Sequence, residues 1–228
     1  MRTLLLLGLI LTSLTAAERF RVLVVGSAWS EQHSWPLMCA WLSATATPPT
    51  SVALRSVAAT SSSLPQLIGR PVLSKQLRKQ YELVLLQVHQ IDAAFSPTET
   101  RAALARFAAA MRSQRVVLWH PPGPSVTPER RAALETVLDQ AAADHGWERW
   151  RLDALWRNAL EAGHAIEDRT GLPTQLGGYL LACAGYHLIT GNGPQQLRTT
   201  IDYKDLPALR VPEETARSLH RLIIAAPH

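Results

Sequence analysis

Several features that mark common protein classes are missing from this sequence of 228 residues. It contains no internal repeat and no long low-complexity segment, which excludes a repeat architecture. Its arginines are scattered among helical segments without an aromatic-interleaved basic motif, so nucleic-acid binding is not expected. Outside the amino terminus, no apolar run is long and uninterrupted enough for a membrane-spanning helix. The length fits one α/β domain with a sizeable core.

The first 17 residues, MRTLLLLGLILTSLTAA, have the pattern of a secretory signal peptide. Arg2 precedes an apolar run, and Thr15 and Ala17 occupy the positions that a signal peptidase inspects. We predict cleavage after Ala17, a single mature domain of residues 18–228, and a secreted or periplasmic location. Cleavage changes the formal net charge from +5 to +4, because the segment carries one arginine and no acid. The alternative is an uncleaved membrane anchor, for which the run from Leu4 is short.

The sequence contains only two cysteines, Cys39 and Cys183, and it leaves two states open for them. Exported proteins meet an oxidising compartment, where the two thiols could pair. Both residues also lie on apolar helical faces, where a reduced cysteine behaves as a small hydrophobic residue. Either a disulfide or two buried thiols is therefore compatible with the sequence.

Buried strands alternate with helices along the chain. Strands are predicted over the apolar runs Arg21–Val25, Ser51–Val57, Leu83–Val88 and Arg115–Trp119, with a shorter one over Trp147–Trp150. Helices with start signals follow Ser96, Thr127 and Pro212, and an apolar helix follows Pro173 and ends at Gly191. The alternation predicts a three-layer α/β/α sandwich around a doubly wound parallel sheet.

The loop that leaves the first strand is predicted to line a binding crevice. In an open parallel sheet, ligands bind beyond the carboxyl ends of the strands. Polar and aromatic residues follow three of these ends. The predicted lining residues are Ser27, Ala28, Trp29, Gln87, His89 and His120. Trp35 could join them or pack in the core.

Three segments, in this order, resemble the SGNH (GDSL-like) hydrolases, especially their secreted bacterial branch. The sequence Gly26-Ser27-Ala28-Trp29-Ser30 resembles the block G-N-S-[FY]-T, and YELVLLQ at 81–87 resembles an aromatic-D-x-V-V-L-Q strand. The segment RTGLPTQLGGYLLAC at 169–183 resembles D-G-x-H-P-S-x-x-G-x-Y-L-A-A-C. The resemblance covers most of the mature chain and implies a parallel, flavodoxin-like sheet.

The same resemblance implies a degenerate catalytic triad. In the family, a serine after the first strand is the nucleophile, a histidine near the carboxyl terminus is the base, and an aspartate orients that histidine. The aligned blocks place Ala28 at the nucleophile, Leu172 at the base and Arg169 at the acid, while Gln87 keeps a role in holding the oxyanion. Neither a methyl group nor a leucine can attack or transfer a proton, so conventional ester hydrolysis is not expected.

Neighbouring residues could replace the lost groups, because triads are defined by geometry rather than by sequence position. Ser27 or Ser30 could attack, and Asp168, one position out of register, could orient the base. The histidines available as that base are His89, His120, His164 and His187. The structural alternative for the two serines is turn formation and helix capping.

A metal site is a further alternative for the histidines at the strand ends. His33, His89 and His120 could face one crevice, and three imidazoles can bind a metal ion. No pair of them has close ligand spacing, so we predict no metal and no cofactor.

Two functions therefore follow from the sequence. The first is a secreted SGNH-like protein that is catalytically inactive and binds or scaffolds a sugar or acylated ligand in the crevice. The second is an active esterase or carbohydrate deacetylase with a relocated serine and histidine. Both exclude nucleic acid as a partner and a membrane span after signal removal.

Overall fold

The computed structural model describes residues 20–26, 32–58, 64–89, 96–111, 115–122, 127–206 and 208–226. The predicted signal segment, residues 1–17, lies outside the described residues. None of the helices in the described ranges is long and apolar enough to cross a membrane.

Five parallel strands form the central sheet, in the order β2-β1-β3-β4-β5. Their bounds are β1 Phe20–Gly26, β2 Val52–Ala58, β3 Leu83–Gln87, β4 Arg115–Trp119 and β5 Glu148–Trp150. This is the flavodoxin-like order, with the chain reversing direction across the sheet between β1 and β3. The predicted parallel sheet is confirmed.

Helices cover both faces of this sheet. Their bounds are α1 Trp35–Thr45, α2 Leu64–Ile68, α3 Pro71–Leu77, α4 Pro97–Ala110, α5 Pro128–His145, α6 Leu152–Glu161, α7 Gln175–Thr190 and α8 Glu213–Ala225. Pro97 and Pro128 stand in the first turns of α4 and α5, where a missing N–H costs nothing. Gly191 closes α7 with a φ of 72°, a left-handed conformation that favours glycine.

The core has two halves, because side chains alternate across each strand. Val22 and Val24 of β1 pack under α1, α6, α7 and α8. Leu23 and Val25 pack on the opposite face, under α2, α3, α4 and α5. All four valine and leucine side chains are fully buried, as expected for a parallel strand covered on both sides. The predicted three-layer sandwich is therefore confirmed.

The segment between α7 and α8 contains structure that the sequence pattern does not reveal. A short 3₁₀ turn, Pro194–Gln196, precedes an antiparallel pair, β6 Thr200–Ile201 and β7 Leu209–Arg210. Strands of two residues are too short to display a periodicity of their own.

Both cysteines are free and buried in the structure. Cys39 lies on α1 and Cys183 on α7, and these two helices pack against each other. Burial raises the pKa of Cys39 to about 12 and also raises the pKa of Cys183. Of the two states that the sequence leaves open, the structure contains the buried thiols.

Candidate functional site

The carboxyl ends of the central strands lie level with one another. Val25 of β1 pairs with Leu86 of β3, and Gln87 pairs with Trp119 at the end of β4. The predicted lining residues on the loop after β1, namely Ser27, Ala28, Trp29 and Ser30, lie outside the described residues. The remaining predictions for this edge of the sheet therefore rest on Gln87, His89 and His120.

Gln87 and His89 lie at the carboxyl edge, where the sequence places them. Gln87 is the last residue of β3 and is only 2 % exposed. His89 follows it by two residues and is partly exposed. The main chain between them is fixed to the neighbouring strand, because the N–H of Val88 donates to the carbonyl oxygen of Trp119 at 2.8 Å.

His120 follows β4 as predicted, but its ring is engaged inside the protein. The residue is 4 % exposed. Its Nδ1 lies 3.0 Å from the carbonyl oxygen of Pro121, and its Nε2 lies 2.6 Å from a carboxylate oxygen of Glu135 on α5. Both ring nitrogens of His120 therefore have partners from the protein itself.

Of the two roles that the sequence leaves open for Trp35, lining the crevice or packing in the core, the structure shows the core. Trp35 is fully buried, and its ring meets those of Trp119 and Trp150 with centroid separations of 6.3 and 6.1 Å. The steep interplanar angles, 86° and 62°, are of the edge-to-face type that aromatic rings prefer.

A tight turn precedes α7 at the position where the resemblance places the base and its acid. One carboxylate oxygen of Asp168 accepts from the backbone N–H and hydroxyl of Thr170 at 2.8 and 2.6 Å, and from the N–H of Leu172 at 3.1 Å. The N–H of Asp168 in turn donates to the carbonyl oxygen of Leu172. Gly171 adopts a φ of 78° inside this turn. We call residues 168–173 the base turn.

The hydrogen bonds of the base turn hold Asp168 in its charged form. The Thr170 hydroxyl has the largest effect and lowers the pKa of Asp168, while the N–H groups of Thr170 and Leu172 and the nearby His33 act in the same direction. The side chain of Leu172 is 40 % exposed, and Arg169 is exposed as well. The turn therefore presents an apolar side chain at the position that the resemblance assigns to the base, and it uses its carboxylate to hold its own backbone.

His33, which the sequence suggests only as a metal ligand, is the imidazole that the structure brings to the base turn. Its Nε2–H donates to the carbonyl oxygen of Pro173 at 2.7 Å. His33 and Ser34 both have left-handed backbones, with φ values of 49° and 51°. Such conformations cost a non-glycine residue roughly 1–3 kcal/mol each and concentrate at functional sites. The contact joins residues 140 positions apart, so no local pattern reveals it.

Two glycines at the start of α7 make these approaches feasible. A Cβ atom on Gly178 would lie 2.9 Å from the Cβ of His33. A Cβ atom on Gly177 would overlap the carbonyl oxygen of Ile166 and lie 2.9 Å from the ring of Trp156. Since real Cβ atoms do not come this close to their neighbours, the glycine pair lets His33 and the segment before the base turn pack directly on the helix.

No family model and no curated protein matches the sequence. Solved structures do match. A lipase/acylhydrolase from Enterococcus faecalis superposes with a TM-score of 0.58 at 16 % identity, covering 80 % of this chain and 99 % of its own. A protein from Slackia heliotrinireducens that is assigned to the SGNH hydrolases gives 0.56 at 21 % identity, covering 72 % and 95 %. A G-D-S-L family lipolytic protein from Veillonella parvula gives 0.54 at 13 % identity, covering 75 % and 97 %.

The chain has the SGNH hydrolase fold. The matches cover nearly the whole length of the three solved chains, so the likeness extends over the complete fold of each. Their identities are low, and what they share with this chain is architecture. The roles of individual residues must come from the site itself.

One serine–histidine pair lies within hydrogen-bonding distance in the described part of this SGNH fold. Nε2 of His164 lies 2.9 Å from the hydroxyl of Ser218 on α8. No carboxylate among the described residues hydrogen-bonds to His164. Ser218 stands in the middle of a helix, where no strained turn exposes its hydroxyl. The other predicted base, His187, hydrogen-bonds to the carbonyl oxygen of Asn192 at 2.8 Å.

Among the described residues, one cluster has the composition of a metal site. Nitrogen and oxygen atoms of His120, Glu135 and Asp153 lie within 4.8 Å of one another. The second oxygen of Glu135, however, already accepts from Arg149 at 2.7 Å and from Arg151 at 3.2 Å. A divalent cation here would lie beside two guanidinium groups, which disfavours it. His33 and His89, the other predicted ligands, are not part of this cluster.

Glu135 is better explained as the centre of an ion-pair network. Burial alone would raise the pKa of Glu135, but the hydrogen bond with His120 and the charge of Arg149 outweigh burial and lower it to about 2. Arg149 and Arg151 also contact Asp139, one turn further along α5. The network ties β5 and its following residue to α5 behind the end of β4.

Proposed function

We propose that this SGNH-fold protein does not hydrolyse esters by the conventional triad and instead binds a sugar or acylated ligand at the carboxyl edge of its sheet. The observation that carries the proposal is the exposed side chain of Leu172 on the base turn. A turn that presents leucine where the base should stand can contact a ligand, but it cannot move a proton.

The hydrogen bonding of Asp168 supports the same proposal. In a triad, the acid accepts a hydrogen bond from the imidazole and fixes its orientation. Here the carboxylate of Asp168 accepts from Thr170 and Leu172 within its own turn. The acid therefore has a structural use that does not require a neighbouring base.

Gln87 and Leu172 supply the two kinds of contact that such a ligand needs. A buried amide at the strand end can hydrogen-bond to a hydroxyl or an acyl carbonyl group. An exposed leucine offers apolar surface to an acyl chain or to the apolar face of a sugar ring. His89, partly exposed beside Gln87, adds a further polar group.

Restoring both lost groups tests the loss of hydrolysis. We expect no labelling of the native protein by a serine-directed organophosphate and little p-nitrophenyl acetate hydrolysis by Ala28→Ser alone. The double variant Ala28→Ser/Leu172→His should hydrolyse the ester at least about 100-fold faster than Ala28→Ser, since a positioned general base typically contributes 10²–10⁴-fold. The matched control, Ala28→Ser/Leu160→His, places the imidazole at another exposed leucine and should gain nothing.

Stoichiometric labelling of Ser27 or Ser30 in the native protein would contradict the proposal and favour the second function, an esterase or carbohydrate deacetylase with relocated groups. The contact of His33 with the base turn is the observation that favours this alternative. With its Nε2–H donated to Pro173, the ring keeps an acceptor at Nδ1 beside the charge of Asp168. In that case His33→Ala should abolish labelling, while His187→Ala should not.

We also propose that residues 1–17 direct export and that the mature protein is secreted or periplasmic. The proposal is supported by Arg2, the apolar run after it and the small residues up to Ala17. Amino-terminal sequencing of exported protein should begin at Glu18. Recovery of the intact segment in a membrane fraction would contradict cleavage.

A further inference from the structure

A cavity lies away from the base turn, between α1, the segment that follows α7, and α8. Its volume is about 660 Å³, large enough for one or two sugar rings. We call it the C-terminal groove. The residues that give it its chemistry are Trp41, Arg198, Asp202, Glu213, Arg217 and His220. Gln87, His89 and His120, the predicted crevice residues that the structure describes, do not line it.

His220 is the most deeply buried polar side chain that lines the C-terminal groove. The residue lies on α8 and is 4 % exposed. The hydroxyl of Tyr179 donates to the carbonyl oxygen of Arg198 at 3.2 Å, so its oxygen accepts from the Nε2–H of His220 at 3.1 Å. Nδ1 of His220 then holds a lone pair, and no group in the described part of the chain donates to it.

Nδ1 of His220 therefore favours a ligand that carries a hydrogen-bond donor. Burial lowers the pKa of His220 to about 4, so the ring is neutral near pH 7. A neutral imidazole with Nε2–H donated inward can only accept at Nδ1. Nδ1 is not one of the enclosed, unpartnered polar atoms of the described residues, so it stays accessible to water and to a ligand hydroxyl group that donates to it in the groove.

The rim of the groove carries charges of both signs. Arg198, Asp202, Glu213 and Arg217 are exposed, and none forms an ion pair with another described residue. The Nε–H of Arg217 makes only a long contact, 3.4 Å, with the carbonyl oxygen of Glu213. Two guanidinium groups and two carboxylates thus remain able to bind a ligand without first breaking an ion pair.

We propose that the C-terminal groove binds a neutral carbohydrate. An anionic ligand would meet two carboxylates, and a cationic ligand would meet two guanidinium groups. A polyhydroxylated ring satisfies both kinds of charge, since each hydroxyl group can donate to a carboxylate or to Nδ1 of His220 and accept from an arginine. The indole of Trp41, partly exposed on α1, supplies an aromatic face for the ring. This site does not depend on the crevice proposed above.

Ligand-detected saturation-transfer NMR tests the proposal, with cellobiose, maltose and N,N′-diacetylchitobiose as probes and glycylglycine as a zwitterionic comparison. We expect at least one disaccharide to be saturated by the native protein, and glycylglycine not to be. Arg217→Ala should weaken binding about tenfold, the loss expected for one hydrogen bond to a charged group. Arg221→Ala removes an equally exposed arginine one turn along α8, outside the groove, and should bind as the native protein does.

Trp41→Ala provides a second variant, and a thermal melt establishes that it is folded before it is compared. Saturation of none of the three disaccharides would overturn the proposal. So would binding that Arg217→Ala and folded Trp41→Ala leave unchanged, or saturation of glycylglycine in place of the sugars. Binding that Gln87→Ala removes and Arg217→Ala spares would assign the sugar to the crevice and would equally overturn a site in the C-terminal groove.

Discussion

The base turn and the C-terminal groove fix an imidazole in the same way but place it in opposite surroundings. His33 donates Nε2–H to the carbonyl oxygen of Pro173, just before α7. His220 donates Nε2–H to the hydroxyl oxygen of Tyr179, on α7. His33 is partly exposed and lies close enough to Asp168 to help lower the pKa of that carboxyl group. His220 is buried, and no carboxylate hydrogen-bonds to it in the described structure.

The comparison shows that the hydrogen bond to Nε2 alone does not define what a histidine can do. A nearby carboxylate stabilises an imidazolium, which a general base needs after it accepts a proton. Burial without such a charge opposes protonation, which favours a fixed hydrogen-bond acceptor. The ring of His220 is therefore suited to accepting a hydrogen bond from a ligand, whereas His33 lies beside a carboxylate at a partly exposed position.

The largest expected effect comes from closing the space that α7 leaves for the base turn. Gly177→Ala should lower the free energy of unfolding by at least about 3 kcal/mol, because its Cβ would overlap a backbone carbonyl and a tryptophan ring. Urea unfolding measures the change. As a control, Gly69→Ala adds a Cβ at an ordinary 3.6 Å contact and should be close to neutral.

If Gly177→Ala is as stable as the native protein, the segment at Ile166 can move away from α7. The base turn would then be a loosely held surface loop. It would no longer hold His33 as rigidly as the C-terminal groove holds His220.

A smaller effect tests the buried surroundings of His220 through the pH dependence of stability. Burial lowers the pKa of His220 from 6.5 to about 4, so between these values the unfolded chain binds a proton that the folded chain does not. Stability should therefore fall by roughly 3 kcal/mol as the pH falls from 7 to 4. Tyr179 and Cys183, which face this ring, stay neutral over the range because burial raises the pKa of both.

The measurement is the free energy of unfolding in urea at pH 7 and pH 4 for native protein and for His220→Gln. The carboxylates, Glu135 included, titrate alike in both proteins, so the difference between them isolates His220. An equal pH dependence in the two proteins would mean that His220 is accessible to protons, and the contrast in burial between the two histidines would fail.

The smallest effect concerns the tip of the base turn. Leu172→Ser should change the free energy of unfolding by less than about 0.5 kcal/mol, because the side chain is 40 % exposed. Leu155→Ser, at a buried position on α6, should cost several kcal/mol. A large loss for Leu172→Ser would show that this leucine packs against the protein rather than being available to a ligand.

The sheet and most helices could be predicted because their signals are local. The runs at Val22–Val25 and Leu83–Leu86 are apolar throughout, as strands buried on both faces must be. Proline in the first turn marks the start of a helix, as at Pro128, and glycine with a left-handed backbone marks the end of one, as at Gly191. The order of the strands followed from the resemblance and is confirmed by the pairing of β1 with β2 and β3.

The contacts that define both sites could not be predicted, because they join distant parts of the chain. His33 meets Pro173 across 140 residues, and His220 meets Tyr179 across 41. His120 follows a strand in sequence as a crevice residue should, yet its direction depends on Glu135 from another helix. Sequence position assigns a residue to an edge of the sheet, while its partners decide which way the side chain points.

The two thiols between α1 and α7 give the protein an internal reporter of its own opening. A thiol reacts as its thiolate, and at neutral pH a pKa of about 12 leaves Cys39 almost wholly protonated as well as covered. Alkylation of Cys39 or Cys183 must therefore wait until the helices separate. The rate of alkylation of these two thiols by a small reagent therefore reports the fraction of molecules in which this half of the core is open.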